Sequence, residues 1–195
     1  MSRNDSKELI KESAINLLFV EGKFDTTSED IADLAGVKRP LIYYYFKSVE
    51  ELIVVILEES KTERDQLIFD VLNEDSTLNE KLDKIFDLHL TYTTKYPFRQ
   101  VYIATHSNLS NSANFLQSID YQNILMLQSL FEKGIKENLL RIKDSKQAVL
   151  LLLSFLNYPL LMRSLGAKVL TTSFEEYKKL LTERKTTFIN LLFND

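Results

Sequence analysis

The sequence predicts an all-α protein of about nine helices, on three observations. Glycine and proline are scarce, apolar residues recur at helical spacing, and capping residues precede the apolar segments. The 195-residue chain holds 4 Gly and 3 Pro, whereas average usage would supply about 14 Gly and 10 Pro. Sandwiches, barrels and Gly-rich nucleotide-binding folds need these residues at their turns. A hydrophobic content of 45% and a charged content of 27% are ordinary for a globular chain of one or two domains.

Four helices are predicted in the first part of the chain. Ile10, Ala14, Leu17 and Leu18 share one face of the first helix, at the spacing of a buried stripe. Glycines follow the first and second helices, proline suits the first turn of the third, and a Ser-x-x-Glu capping box opens the fourth. The predicted spans are about 5–21, 27–35, from 40 onward, and 48–73.

Five further helical segments are predicted after residue 76. Thr77 with Glu80 forms another capping box, and Asp144 or Ser145 caps a later helix. The longest apolar stretch, residues 148–162, has fifteen residues, fewer than the roughly 20 that a membrane span needs. We therefore expect it to be a buried helix, with a kink or local irregularity at Pro159. The segments span about 77–96, 97–108, 115–138, 145–165 and 174–193.

Composition excludes several kinds of site. Cysteine is absent, so disulfides, Cys–Zn sites and thiol nucleophiles are excluded, which fits a cytoplasmic location. His89 and His106 lie 17 residues apart without a zinc-binding motif around them. We therefore expect no catalytic residue, no metal, no cofactor and no membrane association. The net charge of −4 gives no global sign of nucleic-acid binding.

A local signal for DNA binding lies in residues 27–46, which form a predicted helix–turn–helix. In such a hairpin the second helix presents its outer face to the major groove. From Leu34 to Val49 there are three cations and no acid, although residues 1–50 carry 7 Lys/Arg against 9 Asp/Glu. The alternative is a structural hairpin whose tyrosines belong to the core. Successive helical side chains point about 100° apart, so Tyr43, Tyr44 and Tyr45 cannot all be buried.

Several short motifs in this region occur together. They are Glu21-Gly22-Lys23-Phe24, Thr26-Thr27, Ile31-Ala32, Ala35-Gly36-Val37, and Tyr43-x-Tyr45-Phe46-Lys47-Ser48 followed by Glu50 and Leu52. With these motifs, residues 9–53 resemble the N-terminal domain of TetR-family transcriptional regulators. The resemblance implies a DNA-binding domain at residues 1–48 and a helical ligand-binding and dimerisation domain at residues 49–195. The rest of the chain is similar to the family only in being helical and of suitable length.

The resemblance also implies residue roles in DNA binding. Thr27 and Ser28 match positions that contact phosphates, and Arg39 could bond bidentately to a guanine edge. Val49 replaces a common lysine, and Pro40-Leu41 replaces the more usual Gly-Thr, which should alter the base preference. The complete predicted set is Thr27, Ser28, Lys38, Arg39, Pro40, Leu41, Tyr43, Tyr44, Tyr45 and Lys47.

The remainder of the chain predicts a homodimer and an effector site. The last two helices, about 145–165 and 174–193, are the candidates for a dimeric four-helix bundle. We expect a repressor that an unknown small molecule releases from a palindromic double-stranded DNA operator. The alternative is a helical enzyme whose N-terminal hairpin is purely structural. Aromatic and histidine residues at helical spacing could line a ligand pocket or belong to the core: His89, Tyr92, Tyr96, Tyr102, His106 and Tyr158.

Overall fold

The computed structural model describes residues 3–106, 121–164 and 174–194, and these ranges are helical, which confirms the all-α prediction. A single isolated β-bridge, between Leu140 and Phe193, is the only β pairing within them. The helices are α1 (Arg3–Ile15), α2 (Ser28–Ala35), α3 (Pro40–Tyr45), α4 (Val49–Asn73), α5 (Leu78–Lys95), α6 (Arg99–Thr105), α7 (Tyr121–Lys136), α8 (Ser145–Ser164) and α9 (Phe174–Leu192).

Side-chain caps begin the helices where the sequence predicts them. The Thr27 Oγ1 accepts from the Asp30 amide at 3.3 Å, and the Asp30 carboxylate accepts from the Thr27 amide at 2.7 Å. Thr77 and Glu80 form the same reciprocal pair at the start of α5. The Asp144 carboxylate accepts two amides of the first turn of α8, at 2.8 and 3.1 Å. Each cap satisfies amides that have no partner within the helix.

The end of the first helix differs from the sequence prediction. Residues Asn16–Val20 continue α1 as a π-helix, and the Glu21 amide donates to the Asn16 carbonyl at 2.9 Å. The α-helix predicted to reach residue 21 therefore ends at Ile15. In this wider turn the Phe19 carbonyl accepts a hydrogen bond from the amide of Phe98, which is distant in sequence, at 2.9 Å. Helical periodicity cannot reveal such a contact, since it depends on a residue nearly eighty positions away.

Gly22 ends this π-helix and lies directly against an aromatic ring. Its φ of +73° is in the left-handed region, which glycine adopts without steric cost. A Cβ placed on it would lie 2.9–3.1 Å from atoms of the Phe98 ring. Glycine is therefore required here by both backbone conformation and packing.

The described residues form two compact units. The first contains residues 3–63 and 95–106, and the second contains residues 64–94, 121–164 and 174–194. These divisions differ from the functional boundary predicted at residue 48, which stays a prediction.

The first unit has a core built mainly from α1–α4. Fully buried apolar side chains come from each of these helices, and Tyr102 and Ile103 of α6 complete the cluster. The largest of these buried side chains are Ile10, Leu18, Phe19, Ile31, Ile42, Leu52 and Leu57. This core holds α2 and α3 together, and so positions their outer surfaces.

The second unit has its own core, and one buried cation stabilises it. Its apolar cluster includes Phe86, Phe131 and Phe188, which belong to three different helices. Lys81 is buried, and its Nζ donates to the carbonyls of Val71 and Leu72 at 3.3 and 2.8 Å and also to that of Glu74. A lysine at this place neutralises the negative end of the α4 dipole and satisfies carbonyls that lack a helical partner.

The longest apolar stretch lies within α8. This helix runs from Ser145 to Ser164 and therefore includes Pro159. The helix is continuous at Pro159, and the kink or local irregularity predicted there stays a prediction.

Candidate nucleic-acid interface

The predicted helix–turn–helix is formed by α2 and α3. Gly36 has a φ of +64° and ends α2, and the Val37 amide donates to the Ala32 carbonyl at 3.0 Å. Ala32 and Ile42 are both buried in the core of the first unit. The left-handed glycine redirects the chain into α3. The two helices and the glycine turn predicted for residues 27–46 are therefore present.

The outer surface of α3 and its edges exposes most of the predicted DNA contacts. Tyr43 is 45% exposed and Tyr44 is 57% exposed, so two of the three adjacent tyrosines lie on the surface, as helical geometry requires. Tyr45 and Leu41 are partly buried against the core. The remaining exposed members of the predicted set are Thr27, Lys38, Arg39, Pro40 and Lys47.

The capping box predicted for Ser48 and Glu51 forms only in part at the start of α4. The Glu51 amide donates to the Ser48 Oγ at 3.2 Å, as a capping box requires. The Glu51 carboxylate, however, accepts from the Lys47 amide instead of returning to Ser48. The exposed Lys47 is therefore anchored through its backbone at the start of α4. A lysine held in this way suits contact with a phosphate oxygen.

Arg39, Tyr43 and Ser28 form a hydrogen-bond network that sequence reasoning missed. The Arg39 Nε donates to the Ser28 Oγ at 2.9 Å, and the Tyr43 hydroxyl donates to the same oxygen at 3.0 Å. A longer bond of 3.4 Å joins the Arg39 Nη2 to the Tyr43 hydroxyl. The hydrogen bonds with Ser28 and Arg39 lower the pKa of the Tyr43 phenol. The only sequence signal for this network was the i,i+4 spacing of Arg39 and Tyr43.

The two predicted phosphate contacts at the start of α2 have different environments. Thr27 is exposed and its hydroxyl belongs to the capping box. Ser28 is only 5% exposed, and its Oγ accepts the two bonds from α3. The pair therefore does not present two equivalent hydroxyls to solvent.

The residues predicted to line a ligand pocket are divided between the two units. Tyr96, Tyr102 and His106 belong to the first unit, whereas His89 and Tyr92 belong to the second. The Tyr158 side chain lies outside the described part of the structure. Their role in ligand binding stays a prediction.

Tyr102 and His106 form an aromatic cluster within the first unit. Their rings stack at a centroid distance of 4.2 Å, and Phe24 makes edge contacts with both. The His106 Nδ1 lies 3.1 Å from the Tyr102 carbonyl oxygen. Tyr102 is buried, and this burial raises the pKa of its phenol. Within the described residues, these two side chains therefore contribute to the core.

His89 has a different environment, in the second unit. Burial first, and then the positive charge of Arg64, lower the pKa of His89 to about 4, and a hydrogen bond to the Leu156 backbone partly opposes this shift. Its Nε2 is inaccessible to solvent and has no hydrogen-bond partner among the described residues. A buried neutral imidazole with a free nitrogen can bond a polar group of a ligand.

The described residues contain no cluster of three or more side chains suited to hold a metal ion. Within the same ranges, none of the helices combines the length and the apolar character that a membrane span requires.

Comparison with known proteins agrees with this geometry. Residues 10–56 match the family model of bacterial regulatory proteins of the tetR family. No curated protein matches the chain.

Several solved structures share the fold over nearly the whole chain. A TetR transcription regulator from Haloarcula marismortui ATCC 43049 is 20% identical with a TM-score of 0.72, covering 98% of this chain and 100% of that one. The transcriptional regulator FadR from Bacillus subtilis, solved in complex with stearoyl-CoA, is 18% identical with a TM-score of 0.66, covering 94% of this chain and 98% of that one. The ketosteroid regulator KstR2 of Mycobacterium tuberculosis is 16% identical with a TM-score of 0.67, covering 97% and 95%.

The matched segment contains α2, α3 and the exposed basic residues of the hairpin. Residues 10–56 therefore belong to the TetR family of bacterial regulatory proteins, and the chain has the fold of TetR-family transcriptional regulators.

Proposed function

We propose that this protein is a dimeric, sequence-specific DNA-binding transcriptional regulator. It represses from a palindromic operator in the cytoplasm and is released by a small-molecule effector. The observation that carries the proposal is the exposed tyrosine-rich surface of α3 together with the exposed cations that flank it, within the segment that matches the TetR family model. The alternative, a helical enzyme with a structural hairpin, does not account for these exposed side chains.

The proposed DNA contacts divide into base-reading and phosphate-binding groups. Arg39 reads a guanine edge through two parallel hydrogen bonds, and Pro40 and Leu41 offer apolar surface to a thymine methyl. Lys38, Tyr43, Tyr44, Tyr45 and Lys47 bind the backbone or base edges, with Thr27 and the backbone amide of Ser28 at the start of α2. Two copies of α3 would occupy successive major grooves of the operator, about 34–36 Å apart or a multiple of this distance.

Band-shift titration with DNA flanking the gene tests the proposal. Arg39→Ala should weaken operator binding by about 1–3 kcal/mol and relax the preference at one base pair. Lys47→Ala should weaken binding to all sequences alike and reduce the salt slope of log K by about 1. If wild type fails to retard any flanking fragment at low salt, the proposal is wrong. If Arg39→Ala binds the operator like wild type at fixed salt, Arg39 does not read a base.

Exposed leucines on α8 and α9 support the proposed dimer. Leu150 is 63% exposed and Leu191 is 52% exposed, although both helices also supply fully buried side chains to the core of the second unit. Large apolar side chains on the outside of core helices are typical of an interface.

Sedimentation of variants tests this interface. Leu150→Arg and Leu191→Arg should convert a dimer to monomer at micromolar concentration. The matched control is Leu125→Arg, which alters a 40% exposed leucine on α7 and should leave the dimer intact. A dimer that survives both interface substitutions would exclude this surface.

The proposed effector binds among the residues predicted to line a ligand pocket. His89 and Tyr92 are the candidates in the second unit, with Tyr96, Tyr102, His106 and Tyr158 completing the predicted set. Stearoyl-CoA, which is bound in the similar FadR structure from Bacillus subtilis, is a suitable first probe. It should release operator DNA from wild type, and His89→Ala should require a higher concentration for release. If stearoyl-CoA releases no DNA, this effector class is excluded.

A further inference from the structure

Ser28 has contacts that do not suit a side chain waiting for a phosphate. It is the first residue of α2, it is 5% exposed, and its Oγ accepts from the Arg39 Nε at 2.9 Å and from the Tyr43 hydroxyl at 3.0 Å. A serine oxygen has two lone pairs, and two residues of the recognition hairpin occupy them. The O–H, through which a serine donates to a phosphate oxygen, belongs to a residue that is only 5% exposed. The neighbouring Thr27 is exposed and has no such bonds to Arg39 or Tyr43.

The same network determines which edge of Arg39 remains available. A guanidinium has five N–H donors in a fixed planar fork. The Nε bond to Ser28 and the longer Nη2 bond to Tyr43 occupy its side edge. The two donors on Nη1 and the second donor on Nη2 stay unused within this network. One of the Nη1 donors and this second Nη2 donor form the end-on pair that can bond the O6 and N7 acceptors of guanine.

The ring of Tyr43 supports the same conformation. The Arg39 guanidinium carbon lies 5.7 Å from the centroid of the Tyr43 ring, within the range of a cation–π contact. Arg39 is thus held from two sides by residues of different helices, although it is exposed. A long arginine side chain without such contacts loses considerable rotamer freedom when it binds DNA. Because these contacts already hold the guanidinium, less freedom is lost on binding.

We propose that Ser28 is a positioning residue for base reading, which holds the guanidinium of Arg39 with its end-on pair free, and that its side chain does not bind phosphate. This inference rests on the proposed DNA-binding function and changes the role that family resemblance implies for Ser28. It also makes the operator preference depend on a buried hydroxyl that touches no DNA. The Ser28 backbone amide, at the helix N-terminus, is unaffected by this assignment.

A double-mutant cycle on the full-length protein tests the proposal. Wild type, Ser28→Ala, Arg39→Ala and the double variant are titrated against the operator fragment and against unrelated DNA of the same length, over a series of salt concentrations. Circular dichroism identifies a temperature at which all four variants are folded. Lys47→Ala serves as the reference for loss of a phosphate contact.

The positioning role predicts three results. Ser28→Ala should weaken operator binding by about three- to tenfold, corresponding to the loss of one net hydrogen bond. Binding to unrelated DNA and the salt slope should remain those of wild type. In the Arg39→Ala background, Ser28→Ala should cause no further loss of operator binding, because the side chain it positions has gone.

Opposite results would overturn the assignment. A phosphate contact made by the uncharged Ser28 hydroxyl would, when removed by Ser28→Ala, weaken binding to both DNAs alike and leave the salt slope unchanged. Its loss would also add to that of Arg39→Ala. These outcomes are distinct from failure of the proposed function, in which wild type would not bind either DNA at low salt.

Discussion

His89 should make the stability of the protein depend on pH between pH 7 and pH 5. Burial first, and then the charge of Arg64, lower the pKa of this histidine from 6.5 to about 4 in the folded chain. In the unfolded chain the imidazole returns to its ordinary pKa and takes up a proton as the pH falls below 6.5. Because the unfolded state then binds more protons, the free energy of unfolding must fall as the medium is acidified.

The magnitude follows from the two pKa values. At pH 5 the unfolded imidazole is almost fully protonated, whereas a folded group with a pKa of about 4 is mostly neutral. Linkage then gives a loss of about 2 kcal/mol between pH 7 and pH 5. The carboxylates of the helix caps contribute little over this interval. Hydrogen bonds from Thr27 and Thr77 lower the pKa values of Asp30 and Glu80 from ordinary values of 3.8 and 4.5, so the stability they supply is lost mainly below pH 5.

Urea unfolding at fixed protein concentration, followed by circular dichroism at both pH values, measures this loss. His89→Gln should lose less than about 0.5 kcal/mol over the same interval, because it carries no titrating group. The matched control is His106→Gln, which removes the other histidine and should keep the wild-type dependence. Equal stability of the wild type at pH 7 and pH 5 would refute the claim that His89 is buried in its neutral form.

Three substitutions test other features of the fold by the same unfolding measurement. Gly22→Ala should cost about 2–5 kcal/mol, because it adds left-handed strain and a clash with the Phe98 ring. Gly36→Ala, which has a similar φ but nothing within 4 Å of its Cβ, should cost only about 1–2 kcal/mol. Equal losses of unfolding free energy in the two glycine variants would show that the Phe98 ring moves aside at no energetic cost. Lys81→Met should cost about 1–3 kcal/mol by leaving buried carbonyls at the end of α4 without their donor. An unchanged midpoint would mean that water replaces the ammonium group.

Local chemistry allowed much of the fold to be predicted from sequence. Thr27 with Asp30 and Thr77 with Glu80 form the predicted capping boxes, since both partners lie within one helical turn. Gly36 adopts the predicted left-handed conformation for the same reason. The exposed tyrosines of α3 follow from the angle between successive helical side chains. Each of these features depends on residues at most a few positions apart.

Other features depend on residues that sequence spacing does not bring together. The π-helix at Asn16–Val20 accompanies a bond from the Phe98 amide. The unused nitrogen of His89 is evident only from the side chains that surround it. A periodic pattern identifies which side of a helix is buried, but not which distant backbone or side chain it meets.

The candidate site shows the same division between sequence and structure. The sequence by itself determined that α2 and α3 form a hairpin with cations and tyrosines on its outer surface, because capping, the glycine turn and helical spacing are local. Only the tertiary structure decided that Ser28 is buried beneath Arg39 and Tyr43 while Thr27 is exposed. The physical reason is that the hydroxyl of Ser28 finds its partners across the interface of two helices, where packing rather than sequence separation sets the distance.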